Sequence, residues 1–126
     1  MKLSTIRLEL ARSHDFPSGS RDRGYEFAAP LTQDGHIDAE AFDKARDQCK
    51  VRRFWPGEDD KTGNLERTRS QRWVFSYAPG EEDDEAFYRL DQHLFRPGEY
   101  VTIHEPDGRD YTFRVASVRP GPSISA

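Results

Sequence analysis

Apolar and polar residues alternate in several short segments of the chain, and this alternation predicts β-strands. In a strand every second side chain faces the same side, so each apolar set should line one buried face. The predicted inward sets are Ile6, Leu8 and Leu10; Tyr25, Phe27 and Ala29; Trp73, Phe75 and Tyr77; Val101 and Ile103; and Tyr111, Phe113 and Val115. A further strand is predicted over 50–55, and Pro56-Gly57 would end it.

One short helix is predicted to begin after Asp38. The Asp38 side chain can cap the first turn, and Ile37 and Phe42 can form a hydrophobic staple around it. Along the helix one apolar stripe is formed by Ala41, Phe42, Ala45 and Cys49. The stripe is small, so the helix is expected to be short and to pack by this face alone.

Turn signals and polar stretches separate these elements. Dipeptides such as Asp34-Gly35, Pro56-Gly57 and Pro97-Gly98 are typical of tight turns. Loops are predicted at 12–23, 57–70 and 79–86, and a flexible tail at 120–126. A chain of 126 residues has the length of one domain, so 1–126 is expected to share a single core.

These elements predict a mainly β (α+β) fold. Six or seven short strands and one short helix around one core favour a strongly bent antiparallel sheet or a small β-barrel, with the helix crossing one end. The alternative is a flat α+β sheet with the helix on one face. The pattern of apolar positions does not decide between a closed barrel and an open sheet.

The last two predicted strands should form a hairpin of defined register. Val101 and Ile103 must share a face with Phe113 and Val115, because a slip of one residue would turn one set outward. On the outer face this register places Tyr100 opposite Arg114, Thr102 opposite Thr112, and His104 opposite Asp110. A carboxylate opposite His104 would raise the pKa of that histidine and tether the turn.

Composition excludes several classes of protein. No window approaches the roughly 18 apolar residues of a membrane-spanning helix, and Arg7 and Glu9 interrupt the start of the chain where a signal peptide needs an apolar run. A cytoplasmic location is therefore expected. A net charge of −4 argues against extensive nucleic-acid binding, so that binding is predicted to be weak or absent.

The middle of the chain is nevertheless basic and aromatic. Residues 44–77 hold nine Lys and Arg against five Asp and Glu, whereas both flanks are acidic. If neighbouring strands bring these cations together, they could bind an acidic protein or another anionic ligand beside an exposed ring, for which Trp55 is the candidate. The predicted binding residues are Lys50, Arg52, Arg53, Trp55, Arg69 and Arg72. The competing interpretation pairs these arginines with the acidic run 81–85 of the same chain.

The sequence therefore predicts a non-enzymatic binding module. The alternative is a small-molecule-binding barrel with an aromatic cavity lined by Tyr25, Tyr77 and Tyr111. The loop 18–24 could wrap an anion with backbone N–H groups and two arginines, although it lacks the features of a P-loop. The four histidines show no metal-ligand spacing, and Cys49 lies near a helix C-terminus, where the dipole raises a thiol pKa. No cofactor, metal or catalytic residue is predicted.

Two resemblances add little to this interpretation. Residues 95–101 and 109–112 are similar to the flavin-binding strand pair of ferredoxin-reductase-type domains, but Glu99 replaces the Gln of that motif. Too little chain follows Thr112 for the rest of such a barrel, so the similarity is interpreted as convergence. As a whole, the chain resembles small bacterial proteins of this length, and that resemblance implies no activity, cofactor or site.

Overall fold

In the part of the chain that the structure describes, the fold consists of eight antiparallel strands and one short helix. The computed structural model describes residues 3–69, 72–77, 87–90, 94–105 and 108–121, with the backbone alone at 77 and 87–90. The elements are β1 (Leu3–Leu10), β2 (Ser20–Pro30), α1 (Ala39–Ala45), a 3₁₀ turn (Arg46–Gln48), β3 (Lys50–Trp55), β4 (Glu58–Arg67), β5 (Trp73–Tyr77), β6 (Phe87–Leu90), β7 (Tyr100–His104) and β8 (Asp110–Pro120).

The strands form a closed barrel in sequence order. Each strand pairs with the next, and β1 closes the ring by pairing with β8 from Ser4–Pro120 to Leu10–Phe113. The prediction of a mainly β fold with a bent sheet or small barrel and one short helix is confirmed. The closing ladder between β1 and β8 excludes a flat sheet with the helix on one face.

The predicted inward faces supply the barrel interior. The inward residues of β1 are buried, as are Tyr25, Phe27 and Ala29 of β2, and Trp73 and Phe75 of β5. The rings pack against one another, with the Tyr25 and Phe75 centroids 5.1 Å apart and the Tyr25 and Phe113 centroids also 5.1 Å apart. Aromatic side chains bury large areas, and they compensate here for the small number of aliphatic residues.

The hairpin of β7 and β8 has the predicted register. Val101 faces Phe113, and all three predicted outer pairs are present. The Thr102 and Thr112 hydroxyl oxygens are 3.0 Å apart, and His104 Nδ1 lies 2.9 Å from Asp110 Oδ1. Burial of one face was a sufficient constraint, because a one-residue slip would have exposed Val101 and Ile103.

Residues 58–67 form β4, whereas the sequence pattern placed them in a loop spanning 57–70. Leu65 is the one buried residue of this strand, so no alternation marked it. Its backbone pairs on both sides, with β3 and with β5, and these ladders hold it in the sheet. The predicted loop at 12–23 is also shorter, because β2 begins at Ser20. The predicted loop 79–86 and residues 122–126 of the predicted tail lie outside the described residues, whereas Pro120, the first residue of that tail, belongs to β8.

The helix closes one end of the barrel. Asp38 caps it as predicted, with its Oδ1 accepting a hydrogen bond from the Ala41 N–H at 3.1 Å. Phe42 is fully buried and meets the Trp73 ring edge to face, with the centroids 4.9 Å apart. Because β2 ends and β3 begins here, we call this the helix end. At the opposite end, which we call the hairpin end, β3 ends and β4 begins, and β7 ends and β8 begins.

At the hairpin end β1 and β2 approach too closely for any side chain at Gly24. A Cβ there would lie 1.9 Å from the Leu8 carbonyl oxygen. The register shifts just beyond this contact, from Glu9–Gly24 to Leu10–Ser20, so β2 bulges outward over three extra residues. Residues 11, 12 and 18–22 of this loop and bulge line a common groove with the exposed residues Tyr100, Thr112 and Arg114.

Candidate functional site

The six predicted binding residues do not share one surface. Lys50 starts β3 at the helix end, where its Nζ donates to Asn64 Oδ1 at 3.0 Å. Arg69 and Arg72 are exposed in the connection between β4 and β5 at the same end. Trp55 ends β3 at the hairpin end, and Arg52 and Arg53 lie between on opposite faces of β3. Proximity along the sequence therefore did not bring these cations together.

Arg52 belongs to an ion-pair network on the outer face. Its Nη1 lies 2.8 Å from Asp60 Oδ2, and its Nη2 lies 3.8 Å from the buried carboxylate of Glu26. Arg7 and Arg119 also pair with Glu26, at 3.3 and 3.5 Å. Since three guanidinium groups share Glu26 and Asp60 adds a further carboxylate, the charge of Arg52 is largely compensated within the chain.

Arg53 points into the barrel. Its Nε and Nη2 lie 3.2 and 3.1 Å from the two carboxylate oxygens of Glu105, and the Tyr25 hydroxyl donates to Glu105 Oε2 at 2.5 Å. Burial alone lowers the pKa of Arg53, but attraction to Tyr25 and Glu105 outweighs it and raises the pKa above its ordinary value. Arg53 is 6% exposed, so it is a structural cation of the interior.

Trp55 is half-buried instead of presenting a free ring. The centroid of its ring lies 5.2 Å from that of Tyr111, and the guanidinium carbon of Arg53 lies 4.4 Å from the Trp55 centroid. Arg23 approaches the same ring at 5.8 Å. The exposed ring of the described residues is Tyr100, of which 52% is accessible.

Tyr100 lies in a groove of about 1050 Å³ on the outside of the barrel. The sheet side of the groove is formed by the end of β1, by Thr112 and Arg114 of β8, and by Tyr100 of β7. The other side is formed by the loop and bulge between β1 and β2. The groove-lining residues from this segment are Ala11, Arg12, Ser18, Gly19, Ser20, Arg21 and Asp22.

Three arginines of this groove have no internal counter-charge. Arg12, Arg21 and Arg114 are exposed, and their side chains make no ion pair or hydrogen bond with any residue that the structure describes. This differs from Arg7, Arg52 and Arg53, each of which contacts at least two carboxylates. The uncompensated positive charge of this part of the surface is therefore concentrated around Tyr100.

The groove is held in place by the closure of the barrel. Arg114 faces Glu9 across the β1–β8 ladder and Tyr100 across the β7–β8 ladder, so the three form one row. Arg7 neutralises Glu9, with its Nε 2.8 Å from Glu9 Oε2, and its Nη2 donates to the Arg21 carbonyl oxygen at 3.0 Å. The same arginine thus removes a negative charge from the groove and fixes the backbone of the opposite wall.

Two signals in the sequence pointed to parts of this groove. The hairpin register predicted that Tyr100 and Arg114 would be neighbours, and the loop 18–24 was considered as an anion-binding segment. Nothing in the pattern joined them, because their proximity depends on the pairing of the first strand with the last.

Cys49 is a buried structural thiol. It is fully inaccessible, and its Sγ lies 3.5 Å from the Ala45 carbonyl oxygen. Burial raises the pKa of Cys49 from 9.0 to about 11, which agrees in direction with the expectation from the helix dipole but has a different cause. A thiol of this pKa is almost entirely protonated near neutral pH, so it is a poor nucleophile.

We expect Cys49 to resist thiol reagents in the folded protein. At pH 8 a disulfide reagent such as dithionitrobenzoate should label it at least ~100-fold more slowly than in the urea-unfolded chain, because labelling requires an opening of the core. The stabilisation from keeping this thiol neutral should be complete below pH 9 and be lost as the pH rises towards about 11. Rapid stoichiometric labelling of the folded protein would contradict the assignment.

Comparisons with known proteins identify no relative of this chain: no protein-family model, no curated protein and no solved structure matches it. Among the residues that the structure describes, no group of three or more His, Cys, Asp and Glu side chains could hold a metal ion. In the same residues, no helix is long and apolar enough to cross a membrane.

Proposed function

We propose that this protein is a binding module that presents the Tyr100 groove to an anionic partner. The observation that carries the proposal is the contrast in charge compensation. Arg12, Arg21 and Arg114 border one groove without internal partners, whereas the arginines of the adjoining outer face share Glu26 and Asp60. An anion entering the groove would supply the missing counter-charge.

Arginine is well suited to this role. Its planar guanidinium group offers paired donors that match a carboxylate, sulfate or phosphate, and such charge-assisted hydrogen bonds are stronger than neutral ones. Arg and Tyr are also the residue types that contribute most to binding at many protein surfaces. Arg114 and Tyr100 are directly opposed on neighbouring strands, so one ligand can contact both.

The alternative, a small-molecule site inside the barrel, has less support. The Tyr25 ring is fully buried among Phe75 and Phe113, and its hydroxyl is bound by Glu105. Neither the ring face nor the hydroxyl of Tyr25 is therefore open to a ligand. The side chain of Tyr77 lies outside the described residues, and Tyr111 packs against Trp55.

The proposal is tested with low-molecular-weight heparin as a probe for an anionic ligand. We expect measurable binding at about 20 mM salt that weakens steeply as salt rises. The triple variant R12A/R21A/R114A should bind at least ~10-fold more weakly, and the slope of log K against log salt should fall by about one for each arginine that contacts the probe. Isothermal titration calorimetry at several salt concentrations measures both quantities.

The matched control is K50A/R69A/R72A, which removes the same charge from exposed positions of the basic segment 44–77 at the helix end. It should retain nearly all of the affinity. A loss equal to that of the groove variant would show that binding follows net charge alone. A loss in the control only would return the site to the sequence-predicted residues. Absence of heparin binding at low salt would refute the proposal.

A further inference from the structure

We infer that the partner of the Tyr100 groove is an acidic polypeptide segment that carries at least one apolar or aromatic side chain. This inference rests on the proposed function and specifies its ligand. It follows from the mixture of chemical groups in the groove, which holds separated arginines, the exposed Tyr100 ring and the carboxylate of Asp22.

The cations are spaced around the groove instead of forming a continuous track. Arg114 projects from the sheet side, while Arg12 and Arg21 belong to the opposite wall. Asp22 also lines the groove, and its side chain has no counter-ion among the described residues. A continuous polyanion would bring negative charge close to Asp22, but a polypeptide can place its carboxylates at the arginines and an uncharged residue beside Asp22.

The exposed Tyr100 ring supplies an apolar contact between these cations. A ring accessible over half of its surface loses water when a Phe, Tyr or Leu side chain packs on it, and such contacts are typical of protein interfaces. The groove is also lined by Thr112 and by the small residues Ser18 and Ser20, whose short side chains leave room for a peptide backbone.

A single-stranded nucleic acid fits these groups less well. Its bases are held by stacking on successive exposed rings, and the described surface offers one large exposed aromatic residue, Tyr100. The chain also carries a net charge of −4, which opposes the approach of a long polyanion. Only the arginines of the groove favour a nucleic acid, whereas a short acidic peptide can contact both these arginines and the Tyr100 ring.

The experiment compares three synthetic probes on the full chain. The first is a twelve-residue peptide of alternating Glu and Ser with a central Phe, the second replaces that Phe by Ser, and the third is a twelve-nucleotide oligothymidylate. Fluorescence anisotropy at about 20 and 150 mM salt gives each affinity. The Phe peptide should bind at least ~5-fold more tightly than the other two at the higher salt, because salt screens the charges but does not screen the apolar contact.

Tyr100→Ala separates the ring from the arginines. Because Tyr100 is exposed at the start of β7, its removal should leave folding intact, which far-UV circular dichroism checks. The variant should bind the Phe peptide at least ~5-fold more weakly than the unmodified chain does, so that its affinities for the Phe and Ser peptides become nearly equal. R12A/R21A/R114A should lose both peptides and heparin.

These outcomes distinguish the two proposals. If heparin binds through the three arginines but neither peptide does, the acidic-polypeptide inference fails and the anion-binding function stands. Tighter binding of oligothymidylate than of the Phe peptide would identify a nucleic acid as the better ligand and overturn the inference. Equal affinity for the Phe and Ser peptides, or no effect of Tyr100→Ala, would remove the role of the ring. Loss of all binding would refute both proposals.

Discussion

Glu105→Ala is expected to reduce the free energy of unfolding by about 3–5 kcal/mol, because it leaves a buried cation without its main partner. Arg53 donates to both oxygens of Glu105 inside the barrel and remains protonated at any pH at which the protein is folded, since its pKa is raised. The substitution also removes the carboxylate oxygen that accepts a hydrogen bond from the Tyr25 hydroxyl. Urea unfolding followed by Trp fluorescence measures the loss.

Glu58→Ala provides the matched control for this prediction. Glu58 pairs with the same arginine, with its Oε1 3.1 Å from Arg53 Nη1, but its side chain is 51% exposed. Its removal should cost less than about 1 kcal/mol. The double variant R53M/E105L should recover most of the loss, because replacing a buried ion pair with apolar residues is often close to neutral. An equal effect of Glu105→Ala and Glu58→Ala would show that the buried pair contributes nothing particular.

Phe42→Ala is expected to lower the free energy of unfolding by about 3–5 kcal/mol. The ring is fully buried and is the one large apolar side chain by which α1 closes the helix end, where it packs against Trp73. Removing it leaves a cavity that the short helix cannot fill, because Ala45 is the only other residue of α1 that is buried.

Lys44→Ala is the control on the same helix. Lys44 is exposed in the last turn of α1, and Ala is at least as favourable in a helix, so the change should stay within about 0.5 kcal/mol. Equilibrium urea unfolding of both variants gives the comparison. A loss below about 1 kcal/mol for Phe42→Ala would mean that the helix does not close the core as described.

Local chemistry explains which parts of the fold could be predicted from the sequence. The cap at Asp38 depends on residues within one helical turn, and the register of β7 and β8 depends on two short strands and the loop between them. In both cases the competing arrangements expose apolar residues or leave backbone donors unpaired, so the pattern of residue types is sufficient.

Strand β4 shows where this reasoning ends. Its sequence is dominated by charged residues, Gly and Asn, which are depleted in strands, and its one buried residue is Leu65. Backbone hydrogen bonds to β3 and β5 hold it on both sides, and these bonds cannot be predicted from the side chains of the segment itself. The sequence analysis did not predict β4 as a strand because it relied on the pattern of side chains, whereas backbone pairing holds this segment in the sheet.

By itself, the sequence determined the inward faces, the helix cap and the last hairpin of this protein, because each of these depends on residue types a few positions apart. The tertiary structure determined which charged side chains are paired with one another. Arg52 and Arg53 are adjacent in the chain, but the strand directs one to Glu26 on the outer face and the other to Glu105 inside the barrel. The groove at Tyr100 exists only because β1 pairs with β8 and carries its loop across the last hairpin. Whether a cation is compensated depends on contacts between residues far apart in sequence, and alternation along one strand carries no information about them.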